Sequence, residues 1–341
     1  RMQCQNNLKQ MSLAVHNFHD SNGRFPASAF DPIAVGKNVR SCGVIPLLLP
    51  FIEQEPLYSG LMVPYTAGAP GDAGKQPLQD RTIGHNVRIN TFICPSDGNS
   101  NIKVSSSFPT NNTVISYRGS RADLAGSDTT ESGYNNVNPT TQYPMRRSWL
   151  RAGQFVGGFE LVTDGTSNSV MFSEGIIHDG KGGTPGGNFK ANCATGVAAH
   201  YNQTPQNCLN LKGAGNRFAN PTQPILNDVG HNLGRRIWYT YVHNVYFYTL
   251  LPPNSPSCHS GWIYVWVSAS SNHSGGVNVS MLDGSVRFVT DTIHAANLSR
   301  KVTGQSPDIP PAYPYDGTGT FSYGLWSELG SINGGESATP P

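Results

Sequence analysis

The sequence predicts an α+β fold, a single N-terminal helix followed by a long, loop-rich β domain. Three observations carry that expectation. Apolar residues recur at helical spacing over the first twenty or so positions, glycine and proline crowd the remainder, and an alternating pattern flanks an Asp-Gly pair at Asp283-Gly284.

The helix is set by Leu8, Met11, Val15 and Phe18, whose spacings of three, four and three residues put them on one face over Gln3 to His19. Asn6, Lys9, Asn17 and Asp20 fall away from that face. Ser21-Asn22-Gly23 ends the helix and Pro26 forbids its restart. The periodicity is already running at Leu8, so the helix is expected to begin upstream of Arg1. With neither an initiator Met nor a signal peptide, the chain reads as a processed or trimmed fragment. His16 and His19 stand three apart, a spacing that can chelate a metal. No HExxH surrounds them and Asp20 is the one adjacent carboxylate, so a half-exposed helix face is the plainer reading.

The β-rich remainder follows from composition. Of 341 residues, 38 are Gly and 25 are Pro, with 37% hydrophobic and 13% charged side chains. A chain of this length buries roughly three quarters of its unfolded surface, and turn-forming residues in such numbers imply short strands joined by many turns. Val44 to Ile52 is an apolar run broken by Pro46 and Pro50, and Thr91 to Cys94 reads as a short strand ending at Pro95-Ser96-Asp97-Gly98. Phe159 to Val162 and Ser169 to Phe172 read as strands flanking an Asp164-Gly165 turn, and the Gly- and Asn-rich residues 176–235 as a long surface insertion. The hairpin is the clearest element: Val277 to Met281 alternates, Asp283-Gly284 turns the chain, and Val286 to Val289 returns.

The formal net charge is +2 and no Lys/Arg run exceeds two residues, so the concentrated basic stripe that binds nucleic acid is missing. No stretch of 18 apolar residues exists to span a membrane. Cysteines stand at Cys4, Cys42, Cys94, Cys193, Cys208 and Cys258, with no CxxC pair and no His in zinc-finger register, which argues against a structural zinc site. An even count in a weakly charged chain fits an oxidising compartment and up to three disulfides.

Candidate chemistry is sparse. Gly165-Thr166-Ser167-Asn168-Ser169 approaches a nucleophile elbow, but Ser169 occupies the position where the sharp turn needs Gly, which leaves a turn stabilised by Asx and Ser side chains. His273, inside Ser271-Asn272-His273-Ser274-Gly275-Gly276, could ligate a metal, act as acid or base, or fix the hairpin's register. The sequence identifies neither nucleophile nor carboxylate for it, so a structural role is expected. Asp97, Asp164, Asp283 and Glu174 sit at turns where oxygens could bind Ca²⁺. EF-hand spacing is lacking, and capping of backbone N–H groups is the plainer reading; calcium stays open as a cofactor and no other is implied. The aromatic stretch from Trp238 to Tyr248, with Trp262, Tyr264 and Trp266 on one strand face, could stack sugars, although core or interface packing explains such strands more often.

Several of these segments together resemble a known family. Gln3-Cys4-Gln5-Asn6-Asn7-Leu8-Lys9-Gln10, His16-Asn17-Phe18-His19-Asp20 and Gly23-Arg24-Phe25-Pro26 look like the post-anchor helix of prepilin-type proteins. More specifically they resemble the planctomycete-type family called domain of unknown function 1559, also labelled SBP_bac_10. The likeness extends through Leu49-Pro50-Phe51-Ile52-Glu53-Gln54, Phe92-Ile93-Cys94-Pro95-Ser96-Asp97 and Ser116-Tyr117-Arg118-Gly119, then Asp164-Gly165-Thr166-Ser167-Asn168-Ser169 with Glu174. Leu251 to Cys258, the His273, nine residues, Asp283-Gly284 signature, and Trp326, Leu329 and Gly334-Gly335-Glu336 complete it. Arg118 replaces a usually small residue and Ser169 a usual Thr.

The resemblance implies a pilin-like fold, with a long helix packed on an antiparallel sheet and large loop-rich elaborations. On that footing residues 1–25 are the C-terminal half of a pilin-type helix whose apolar anchor lies upstream, and 26–341 are a β-rich globular domain. Within that domain 176–260 is the insertion and 261–292 the hairpin region. His273, Asp283, Gly284, Asp164, Gly165, Asn168 and Glu174 are then structural motif residues, and Cys4 with Cys94 is the first disulfide to expect. The expected function is a non-enzymatic, extracytoplasmic structural or surface-assembly protein. Its partners would be copies of itself or other pilin-like subunits, with membrane contact through the upstream helix and no nucleic acid. The alternative is a secreted or surface-tethered module that binds glycans or other solutes.

Overall fold

The computed structural model describes residues 1–28, 43–62, 87–102, 113–122, 147–151, 157–180, 186–197, 204–226, 232–238, 242–260, 264–295, 298–299 and 324–334. The fold is α+β, an N-terminal helix on mixed sheets in which antiparallel pairs predominate.

Helix α1 spans Met2–Asn22 and ends as its sequence dictates. Gly23 takes φ +68°, a left-handed conformation that costs an L side chain energy, and its N–H donates to the His19 carbonyl. Leu8, Met11 and Val15 are completely buried and Phe18 nearly so, joined on that face by Cys4, Asn7, Ser12 and Ala14. Asn6, Lys9, Asn17 and Asp20 are exposed.

Five strands form the sheet beneath α1, in the order β4 (Tyr246–Phe247), β1 (Tyr117–Ser120), β2 (Val170–Glu174), β7 (Gly276–Met281), β8 (Val286–Thr290). All neighbours run antiparallel except β1 and β4. β7 and β8 are the expected hairpin, with Val277 opposite Val289 and Val279 opposite Arg287, and Gly284 at φ +81° makes the turn. α1 packs on β2, β7 and β8. A second sheet of β3 (Cys193–Thr195), β5 (Ser257–Ser260) and β6 (Tyr264–Trp266) is built largely from the segment read as an insertion. Its Cys193, Ala194, Cys258, Val265 and Trp266 belong to the same buried cluster as α1 and the first sheet. That segment therefore extends the core rather than riding on the surface.

Local expectations are corrected at two places, Thr91 to Cys94 and Phe159 to Val162. The run from Val44 forms helix α2 (Ile45–Leu48) and a 3₁₀ turn over Leu49–Ile52. There the prolines occupy first-turn positions, where a missing N–H costs nothing. Thr91 to Cys94 is not a strand: Asn90–Phe92 is a 3₁₀ turn, followed by an extended Ile93. Phe159–Leu161 is likewise a 3₁₀ turn, so the Asp164-Gly165 turn leads into one strand, β2, rather than joining two. Within the aromatic stretch from Trp238 to Tyr248, Val242–Val245 is a helical turn and Tyr246–Phe247 forms β4. Tyr239 and Tyr241 lie outside the described residues.

Candidate functional site

The family-motif residues collect at the two ends of β7. His273 precedes the strand and Asp283-Gly284 follows it. Six strand residues at about 3.3 Å each hold the two parts of the signature roughly 20 Å apart. They cannot act on one substrate atom together.

At the turn end, the Leu282 N–H donates to the Ser169 carbonyl and the Asp283 N–H to the Thr166 carbonyl, so the hairpin tip is stitched to the Gly165–Ser169 turn. Gly165 adopts φ +94°, the Asn168 amide donates to the Asp164 carbonyl, and the Ser169 hydroxyl to the Ser331 carbonyl. Asp164 accepts the Gly334 N–H at 2.6 Å and Asp283 accepts the Ser285 N–H at 2.8 Å. His16 reaches the same corner, its Nε2 lying 2.8 Å from the Leu282 carbonyl, while His19 packs on Phe159 and Phe25. Both helix histidines also pack edge-on against Phe159, with ring centroids 5.2 Å away for His16 and 4.7 Å for His19.

At the other end lies the cluster that holds ionisable groups. Glu174 closes β2 and is almost completely buried. Its Oε2 accepts the Asn278 backbone N–H at 2.7 Å, and its Oε1 accepts the Asn278 side-chain amide at 3.0 Å. His273 Nε2 lies 3.0 Å from Oε1. Gln5 on α1 donates to Asn278 Oδ1, which ties the helix to the group. Burial raises the Glu174 carboxyl above its ordinary range, against the opposing pull of Asn278 and His273. The Cys94 sulfur sits 3.8 Å from Glu174 Oε1 and 3.9 Å from His273 Nε2. Cys94 is disulfide-bonded to Cys4, the pairing expected from the likeness, with the Cα atoms 4.9 Å apart.

Next to it, Asp97 is buried and structural. Oδ1 accepts the Asn99 N–H, while Oδ2 accepts the Ser116 hydroxyl at 3.0 Å and the Ile177 N–H at 2.9 Å. Burial raises its carboxyl despite these donors. Asp164 and Asp283 share the turn end while Asp97 lies apart from them, and each of the three carboxylates accepts backbone N–H groups. The one group of three or more metal-type donors among the described residues is Cys4, Cys94, Glu174 and His273.

Sequence reasoning missed Arg118. It is completely buried on β1, donates to the Ile176 carbonyl at 2.7 Å, and burial pushes its guanidinium down to about 10. A Cβ on Gly175 would fall 2.3 Å from Nη1, so the residue after Glu174 must be Gly to admit the guanidinium. Only the departure from a small residue at 118 hinted at this.

The remaining candidates are placed plainly. Cys208 and Cys258 form the second disulfide. Cys193, a disulfide candidate by sequence, is a buried free thiol whose pKa burial raises; Cys42 lies outside the described residues. Trp266 is fully buried in the core and offers no ring face to a ligand, which bears out core packing and sets aside the alternative of ligand stacking. Tyr264 is placed in β6, and Trp262 lies outside the described residues. No helix among the described residues is long and apolar enough to cross a membrane.

A family model described as "Protein of unknown function (DUF1559)", SBP_bac_10, matches residues 1–296. No curated protein and no solved structure matches the chain.

Proposed function

The chain belongs to the DUF1559 family, and on that footing we propose that it is a non-enzymatic, pilin-like structural subunit displayed outside the cytoplasm. The observation that carries this reading is how α1 is fastened. Cys4 is covalently linked to Cys94, Gln5 bonds Asn278 on β7, and Asn7 donates to the Ile93 carbonyl at 2.8 Å and the Tyr117 hydroxyl at 3.1 Å. His16 meets the Leu282 carbonyl at the hairpin tip. A helix held only by apolar packing can slide or peel. One with a covalent bond at its start and polar bonds along its length transmits load to the sheet, as a filament or membrane-held subunit requires. The two disulfides favour an oxidising compartment.

The polar residues that could suggest catalysis are spent on structural hydrogen bonds. Both Glu174 oxygens are filled by Asn278 and His273, and the Asp97 oxygens by three donors. A hydrolytic site needs a nucleophile held on the base, and the ring of His273 meets Glu174 and the Cys94 sulfur.

The test is expression of the complete gene product in a host that carries a prepilin peptidase. Processing and incorporation into filaments or a surface assembly is the expected result. A product that stays unprocessed and dispersed contradicts the proposal.

A further inference from the structure

Four side chains distant in sequence converge at the start of β7. Cys4 lies on α1, Cys94 in the loop after the Asn90–Phe92 turn, Glu174 at the end of β2 and His273 before β7. Each offers one ligand atom, and all four atoms lie within 4.8 Å of one another.

The spacing can be compared with a real coordination shell. With Zn–S of about 2.3 Å and Zn–N and Zn–O of about 2.0–2.2 Å, a tetrahedron has S···N and S···O edges of about 3.6 Å and an N···O edge of about 3.4 Å. The structure shows 3.9 Å, 3.8 Å and 3.0 Å for these edges. The sulfur–sulfur edge is different, because the two sulfurs are joined by a covalent bond where a tetrahedron needs about 3.8 Å. Cys, His and carboxylate in these proportions are a zinc donor set, and one bond prevents its use.

We infer that reduction of the Cys4–Cys94 disulfide converts this cluster into a Zn²⁺ site whose ligands are Cys4 Sγ, Cys94 Sγ, Glu174 Oε1 and His273 Nε2. A dithiol, or two monothiols, supplies two electrons and two protons. The S–S bond breaks, two S–H bonds form, and the reductant is left as a disulfide. Zn²⁺ then replaces the two thiol protons, and His273 binds through the Nε2 lone pair of its neutral ring with the remaining proton on Nδ1. Glu174 is already aimed, because Asn278 holds Oε2 through its backbone N–H and braces Oε1 with its amide. The His273 side chain is 9% exposed and the Glu174 side chain 2%, so the cation enters from the His273 side. The metal takes over the task of the lost bond, since its ligands still join α1 to β2, β7 and the Cys94 loop.

Co²⁺ is the probe, added to dithiol-reduced protein carrying Cys208→Ser and Cys258→Ser so that the second disulfide contributes no thiols. One Co²⁺ per chain, with thiolate-to-cobalt charge transfer and the intense visible bands of tetrahedral cobalt, is expected. Zn²⁺ should bleach these bands, the oxidised protein should show none, and Cys94→Ser or His273→Ala should weaken binding at least tenfold. An octahedral spectrum, equal binding by the oxidised protein, or binding undiminished in those variants overturns the inference. Should reduction unfold the chain, refolding under reducing conditions with and without Zn²⁺ is followed by far-ultraviolet circular dichroism. Recovery of the native spectrum only with Zn²⁺ supports the site, and equal outcomes overturn it.

Discussion

Glu174 Oε1 lies 3.0 Å from His273 Nε2, and the two come from positions 99 residues apart to meet beneath the start of α1. With Asn278 donating twice to the same carboxylate, the pair fixes the β2–β7 register and, through Gln5, the seating of the helix. Replacing Glu174 with Ala strands both Asn278 donors in a dry interior, and a buried donor without a partner costs about 1–3 kcal/mol. Glu174→Ala should therefore lower stability by about 3 kcal/mol in urea unfolding. Glu174→Gln should cost less but still measurably, because its amide nitrogen turns a donor onto Asn278 or His273. Wild-type stability in Glu174→Ala would contradict this clamp.

Disulfide connectivity is the second expectation. Non-reducing peptide mapping should return Cys4–Cys94 and Cys208–Cys258, with Cys193 unreactive to thiol reagents until the chain unfolds, since it is buried and its thiol is held protonated. The Cys4–Cys94 link closes a separation of 90 residues. Replacing both with Ser should cost about 2–5 kcal/mol and should loosen the first turn of α1 in hydrogen exchange before the rest of the helix.

How much of this was legible in sequence depends on how local each feature is. α1 and the β7–β8 hairpin are written in short-range periodicity, and Gly23 and Gly284 adopt the left-handed angles that their positions announced. The strands misread at Thr91 and Phe159 are 3₁₀ turns, which leave no periodic trace over three residues. β7 alternates as its pattern predicts, but its polar residues Asn278 and Ser280 are buried too: Gln5 of α1 bonds Asn278, and the Ser280 hydroxyl accepts the Phe172 N–H of β2. The partners of Glu174 were invisible for a different reason: His273 and Cys94 are brought to it by the sheet and the loops, and no local pattern encodes that meeting.

A pH dependence follows from His178. It is mostly buried beside Asp179 and Arg235, its Nδ1 accepts the Gly180 N–H, and burial pushes its imidazolium down from 6.5 to about 4. Between those values the unfolded chain binds the proton that the folded chain refuses, so stability rises with pH and is lost as pH falls through the window. The full effect is about 3 kcal/mol. His178→Asn should flatten this part of the curve in urea unfolding at a series of pH values. The raised carboxyls of Asp97 and Glu174 act in both proteins and cancel in the difference. Parallel curves would refute the assignment.

Two adjacent glycines at the head of β7 should respond differently to alanine. A Cβ on Gly276 would sit 2.1 Å from the Val289 carbonyl oxygen of the paired strand, which cannot move without breaking the ladder. Gly275 has open space but φ +81°. Gly276→Ala should cost about 2 kcal/mol or more, and Gly275→Ala about 1 kcal/mol from backbone strain alone. Thermal unfolding of the two variants checks the order.

The measurement that bears most directly on the structural reading is electron microscopy of cells expressing the complete gene product with a prepilin peptidase, labelled with antibody to residues 1–28. The account predicts labelled filaments or a regular surface assembly that is lost or fragile when Cys4 and Cys94 are replaced by Ser, because α1 then bears load without its covalent fastening. Labelled protein that remains dispersed and unprocessed, with or without the disulfide, would contradict it.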